Sequence, residues 1–255
     1  MKAVGGLLIG LGLAGTASSA VAGAWNLPRG QGQAIVKYED MRADERFAPG
    51  GRVDLPAERV DRAASLLVEY GLTHRLTLQF KGEWQSGRDD FVDYEGRGPV
   101  EIGARWQAYR DDDNVVAVYA GYAQGGEGRN AGYAPPGAGD SDWELRLMAG
   151  RGWTQPRVFV EGQVARRWRQ DLSDEVRIDL TAGAHLGENW MLLGQAFGGA
   201  ADGSTDATGA RWLSVEASVV REFGDWSVQA GWRQTVAGRD TPAAHGPVIG
   251  LWRRF

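Results

Sequence analysis

The sequence predicts an all-β chain folded as a transmembrane, antiparallel, up-and-down barrel of about twelve strands. Three features predict it. Apolar and polar residues alternate in segment after segment, the two-residue period of a strand with one face in an apolar medium. Very short Gly, Asn, Asp and Pro joints take turns with longer polar connections. Tryptophans stand at both ends of the strands, where an amphipathic ring meets a membrane interface.

The chain's 255 residues suit one barrel with its loops. The absence of cysteine excludes disulfides, thiolate metal sites and a lipid-modified Cys. Residues 1–24 hold a single charge, Lys2, then an apolar run from Ala3 to Leu13 and a small-residue ending, Ala22-Gly23-Ala24. That is a secretory signal peptide, cut before Trp25 and leaving 25–255 as a single barrel domain. Removing it takes away one Lys, so 27 basic residues face 33 acidic ones, and no basic face calls for a nucleic-acid partner. No later stretch approaches the ~20 apolar residues of a membrane helix. A chain with 38 glycines, 11 tryptophans and low mean hydropathy fits a barrel instead, because only alternate residues face lipid.

The strands fall at 31–43, 60–72, 75–87, 97–110, 114–126, 141–153, 157–169, 175–187, 190–202, 210–223, 226–238 and 246–255. Alternation is clearest in Arg75–Gln85, Val100–Gln107 and Val176–Leu186. Tight joints lie at 70–76, 111–114, 154–156, 187–189 and 223–225, where Gly, Asn, Asp and Pro supply the dihedrals of a reversal. Longer connections lie at 44–59, 88–96, 127–140, 170–174, 203–209 and 239–245. The even strand number puts both termini on the short-turn side. Trp153, Trp190 and Trp226 flank short turns, while Trp84, Trp143 and Trp168 lie toward the opposite ends; all six share the apolar parity of their strands.

The opposite parity lines the lumen: Lys81, Glu83, Glu101, Arg105, Glu144, Arg146, Glu161, Arg167, Arg169, Arg177, Asp179, Glu216 and Arg233, with His185 among them. Charges of both signs are interspersed. They either line a narrow aqueous path or pair across strands and fill the interior, and a twelve-strand barrel lies between the filled and open sizes. The run Ala165-Arg166-Arg167-Trp168-Arg169 is the densest basic cluster. Arg167 and Arg169 suit a carboxylate or phosphate passenger, or they pair with Glu144 and Glu161 or meet lipid head groups. The segment Glu127 to Asp140, with Pro135-Pro136-Gly137, is either an inward constriction or a mobile outer loop.

An enzyme is not expected. None of the three histidines, His74, His185 and His245, has a Ser two residues on, and a Ser without a base is not activated. His245 with Asp240 or Asp206 makes only a contrived rim pair. No two histidines are close enough in sequence for a metal cluster, and nothing calls for a cofactor.

The ending Gly246-Pro247-Val248-Ile249-Gly250-Leu251-Trp252-Arg253-Arg254-Phe255 resembles the closing strand of bacterial outer-membrane β-barrels, matching at Ile249, Leu251 and Phe255 and departing at Arg253. Over the mature length the layout resembles porin-like barrels of about twelve strands, a group that includes acidic-oligosaccharide and nucleoside channels. The resemblance implies export to the bacterial outer membrane, surrounding lipid, and recognition by barrel-assembly machinery through the strand that ends at Phe255. It also implies a channel for small polar or acidic solutes, saccharides among them. The stretch Ala24-Trp25-Asn26-Leu27-Pro28-Arg29-Gly30-Gln31-Gly32-Gln33 is similar to the mature start of small barrels from exopolysaccharide secretion loci, which implies a structural or assembly role with a plugged lumen as the alternative. A barrel hydrolase is the third reading.

Overall fold

The computed structural model describes residues 23–90, 93–126, 141–203 and 209–255. Among the described residues there is no helix. The strands are β1 (Gly32–Ala48), β2 (Gly51–Gly71), β3 (Leu76–Arg88), β4 (Asp93–Arg110), β5 (Asn114–Gln124), β6 (Ser141–Trp153), β7 (Val158–Arg169), β8 (Glu175–Leu186), β9 (Trp190–Ala201), β10 (Arg211–Phe223), β11 (Trp226–Arg239), β12 (Thr241–Pro242) and β13 (His245–Arg254). Each long strand pairs antiparallel with its sequence neighbour, and β13 runs between β11 and β1. Pairings such as Tyr38 with Ile249 and Val36 with Leu251 close the sheet on itself. Twelve long strands therefore make a closed barrel, which leaves no open sheet edge in lipid. The two-residue β12 adds only a short pairing to the top of β1.

Alternation is the physical reason for the register. Along β10, Leu213, Val215 and Val219 stand outside at 40–41 % exposed, while Trp212, Ser214, Glu216, Ser218 and Val220 are buried inside. The six end-of-strand tryptophans all face outward, and Ile249, Leu251 and Phe255 of the closing strand do the same. Arg253 also points outward, its guanidinium 4.9 Å from the centre of the Trp226 ring. That stack explains how a cation fits where an apolar residue is expected. At the short β4–β5 turn, the Asp111 carboxylate accepts from the Tyr109 hydroxyl at 2.7 Å and from the Asn114 and Asp113 N–H groups at 2.6 and 2.9 Å. The Tyr109 hydroxyl first, then the Asn114 and Asp113 donors, hold this exposed carboxyl well below the usual carboxylate range.

Three connections expected to be long loops contain strand, and the first is mostly strand. Residues 44–59 continue the β1–β2 ladder until Ala48 pairs with Gly51, and the reversal uses Gly50 and Gly51 at φ of 100° and 144°. β2 reaches 21 residues, about twice what a tilted crossing needs. Above the apolar band its charges pair across the hairpin: Arg62 with Asp40 at 3.0 Å and Arg52 with Glu45 at 3.2 Å. Polar strand above a membrane thus looks like loop in the sequence. Likewise β4 begins at Asp93 rather than 97, and β12 lies inside 239–245. The segment 127–140, whose role as constriction or outer loop the sequence leaves open, lies outside the described residues.

Candidate functional site

The lumen is layered. At the short-turn end, inward residues of β7, β9, β10 and β13, namely Phe159, Met191, Leu193, Val220 and Trp252, form a buried apolar cluster joined by Ile35 of β1. A second cluster holds Val115, Ala117, Tyr119 and Met148. The chain's own residues Ala24 and Trp25 join them: Ala24 belongs to the second cluster, and Trp25 packs against both. The Trp25 ring meets Phe159 edge-on at 5.9 Å.

This N-terminal segment is fastened by polar contacts to three strands of the wall, β3, β4 and β7. The Ala24 N–H donates to Glu161 on β7 at 2.9 Å, the Asn26 N–H to Gln107 on β4 at 3.3 Å, and the Leu27 N–H to Thr77 on β3 at 3.3 Å. Arg105 on β4 donates to the Trp25 carbonyl at 2.9 Å and to the Asn26 side chain at 3.4 Å. Its Nη1 also reaches Glu69 on β2 at 2.7 Å, and Gln33 donates to the same carboxylate at 2.5 Å. Gly71 lets the segment enter, because a Cβ there would run into the Leu27 and Pro28 carbonyls. Gly71→Val is therefore expected to push the segment out of its seat. Limited trypsin digestion checks this, since cleavage after Arg29 would speed up while the barrel stays intact.

Toward the long-loop end the inward faces are charged. On one wall, Arg167 holds Glu144 at 2.7 Å and Glu101 at 3.4 Å, while the Tyr119 hydroxyl donates to Glu101 at 2.5 Å. Arg146 pairs with the other oxygen of Glu144 and donates to Gln163 at 3.0 Å; Gln163 in turn donates to Asp179 at 3.3 Å. Glu175 receives Arg169 at 3.4 Å and Arg177 at 3.6 Å. On the other wall, Arg233 bridges Glu216 at 2.7 Å and Glu39 at 3.0 Å. Lys37 joins Glu216 at 3.3 Å, and Lys81 meets Glu83 at 2.5 Å.

All the inward residues read from the alternation stand on the inner face, but they separate into two sets. Arg105, Glu144, Arg167, Arg169 and Glu216 are buried among partners, whereas Lys81 and Arg177 keep side chains 41 % and 26 % exposed. Arg167 pairs with Glu144 as one reading of the sequence has it, but Glu161 takes the Ala24 N–H and no guanidinium within ion-pair distance among the described residues. Glu69, Gln33, Glu39, Lys37, Tyr119 and Glu175 escaped the sequence reading. Glu69 and Glu175 were legible from strand parity; Trp25 and Asn26 were not, because they lie on no strand.

Among the described residues no hydrogen bond joins a histidine side chain to a Ser. His245 faces outward beside the Trp232 ring, centroids 6.0 Å apart; His74 lies in the exposed β2–β3 turn, and the buried Nδ1 of His185 has no hydrogen-bond partner among the described residues. Asp206 lies outside the described residues.

No protein-family model matches the chain, and no curated protein matches it. Solved structures do. An outer-membrane channel from Pseudomonas putida is similar with a TM-score of 0.73 at 15 % identity, over 92 % of this chain and 99 % of that one. The KdgM porin in complex with disordered oligogalacturonate is similar with a TM-score of 0.55 at 8 % identity, over 87 % of this chain and 99 % of that one. The translocator domain of the autotransporter NalP from Neisseria meningitidis gives 0.56 at 12 % identity, over 88 % of each chain. The shared feature is the fold, a closed twelve-stranded barrel of the outer-membrane porin-like kind.

Proposed function

We propose that the protein is an exported outer-membrane channel that admits small acidic solutes through its outer mouth and is closed toward the periplasm by its own N-terminal segment. The observation that carries this reading is the uneven exposure of the lumen's ion pairs. Lys81 is 41 % exposed against 16 % for Glu83, and Arg177 is 26 % exposed against 0 % for Glu175. Arg146, Arg233 and Lys37 are likewise more open than the Glu144 and Glu216 carboxylates they hold, whereas Glu39, Glu101 and Asp89 are at least as open as their cations. Carboxylates recede into the wall and cations stand out, so a passing solute meets positive charge even where formal charges balance. The porin-like fold supports the channel, and an oligogalacturonate-bound porin among the similar structures supports an acidic passenger.

The test is single-channel current across a salt gradient in a planar bilayer. Reversing both open cations, Lys81→Glu with Arg177→Glu, is expected to turn an anion-preferring pore cation-preferring. An unchanged reversal potential would sink the acidic-solute assignment. A second reading is a structural or assembly barrel, of the kind that serves exopolysaccharide secretion, and the seated N-terminal segment favours it. A folded, heat-modifiable barrel that stays silent even without that segment would select this second reading.

A further inference from the structure

Glu161 is a carboxylate on the inward face of β7, 5 % exposed. Among the described residues its polar contact is the Ala24 N–H, at 2.9 Å, and none of their Lys or Arg side chains comes within ion-pair distance, Arg105 and Arg146 pairing with Glu69 and Glu144 instead. Unpaired buried carboxylates are costly, and proteins usually match them with a cation. Gly23 is buried against the same group, so closely that any side chain on it would collide with the Glu161 carboxylate. The backbone nitrogen of Gly23 is one bond from that Cα. Two overlapping small-residue triplets precede the barrel, Ala20-Val21-Ala22 and Ala22-Gly23-Ala24, and both have the form of a leader cleavage site.

We propose that the leader is cut between Ala22 and Gly23 and that the new α-ammonium of Gly23 forms a buried ion pair with Glu161, fastening the plug inside the lumen. Hydrolysis of that amide consumes one water. Ala22 leaves as a carboxylate, and the Gly23 nitrogen takes up a proton to become an ammonium. The geometry prefers this bond to the one before Trp25. A cut there removes Ala24, which fills the apolar cluster with Val115, Ala117 and Met148, and removes the N–H that Glu161 accepts from. It also places the new cation one residue from Arg105, whose guanidinium already holds the Trp25 carbonyl. Gly at position 23 suits this arrangement, since a Cβ there would displace the Glu161 carboxylate from the chain end.

The inference rests on the export part of the proposed function and not on conduction. Full-length protein with its own leader would be produced in a Gram-negative host, extracted from outer membranes, and read by intact mass and stepwise N-terminal sequencing. The expected start is Gly-Ala-Trp-Asn-Leu-Pro. A start at Trp25 overturns the inference while leaving export intact, and an uncut chain overturns both. The ion pair is read separately by the rate at which a small acylating reagent modifies the terminal amine of the folded barrel, resolved from Lys37 and Lys81 by peptide mass. Glu161→Gln is expected to raise that rate about tenfold, because an adjacent carboxylate holds the ammonium proton more tightly by about one unit or more. Equal rates in the two proteins overturn the pairing. Should Glu161→Gln fail to fold, Gly23→Ala, which wedges the terminus away from an intact Glu161, is expected to give the same acceleration, and an unchanged rate there overturns it too.

Discussion

Arg105→Ala is expected to destabilise the barrel by about 3–5 kcal/mol, the cost of stranding one member of a buried ion pair. The Arg105 and Glu69 side chains are 2 % and 0 % exposed, so water cannot replace the lost guanidinium. Arg105 also ties the wall to the N-terminal segment through the Trp25 carbonyl and Asn26. Its loss therefore acts twice, on the barrel and on the plug. Urea unfolding in lipid vesicles, followed by tryptophan emission and by heat-modifiable gel mobility, measures the first effect. Adding Glu69→Gln to Arg105→Ala is expected to restore part of the stability, because the stranded charge is then gone. No recovery in the double variant would mean that lost packing, and not the uncompensated carboxylate, accounts for the damage.

Trp25→Ala is expected to open the periplasmic end at a smaller cost in stability, about 3 kcal/mol, the size of a large-to-small change in an apolar cluster. The indole fills the space between Phe159 and the wall at Gly150, and it packs against both apolar clusters. The backbone contacts of Ala24, Asn26 and Leu27 survive the substitution, so the segment stays tethered but no longer fills the bore. The expected record is a persistent small current with frequent closures. A current indistinguishable from that of the unaltered protein would show that the seal lies elsewhere along the lumen.

The sequence carries the barrel more plainly than the site. Segments such as Arg75–Gln85 and Val176–Leu186 alternate because one face meets lipid, so their strand assignment and inward residues follow from parity alone. The turn at Asp111–Asn114 is equally plain, since the Asp111 carboxylate caps the reversal locally. The upper β1–β2 hairpin, residues 44–59, reads as loop because it is rich in polar residues, and strand pairing there is accompanied by cross-strand ion pairs such as Arg52 with Glu45. The plug was illegible for a different reason. Ala24 meets a carboxylate 137 residues away, and Trp25 to Pro28 carry no period that marks them as interior. Burial of Arg167 and Arg169 was likewise hidden: parity puts them inside but does not tell a paired side chain from one facing open water. Exposure separates them from Lys81 and Arg177, and only the fold supplies it.

In the proposed function the N-terminal segment closes an otherwise continuous channel. The most direct measurement compares two refolded proteins in the same planar bilayer, one beginning at Gly23 and one beginning at Arg29. Rare, brief openings are expected for the first and stable, anion-preferring openings for the second, with both barrels folded by gel mobility and protease resistance. Equal silence in two folded barrels would contradict it.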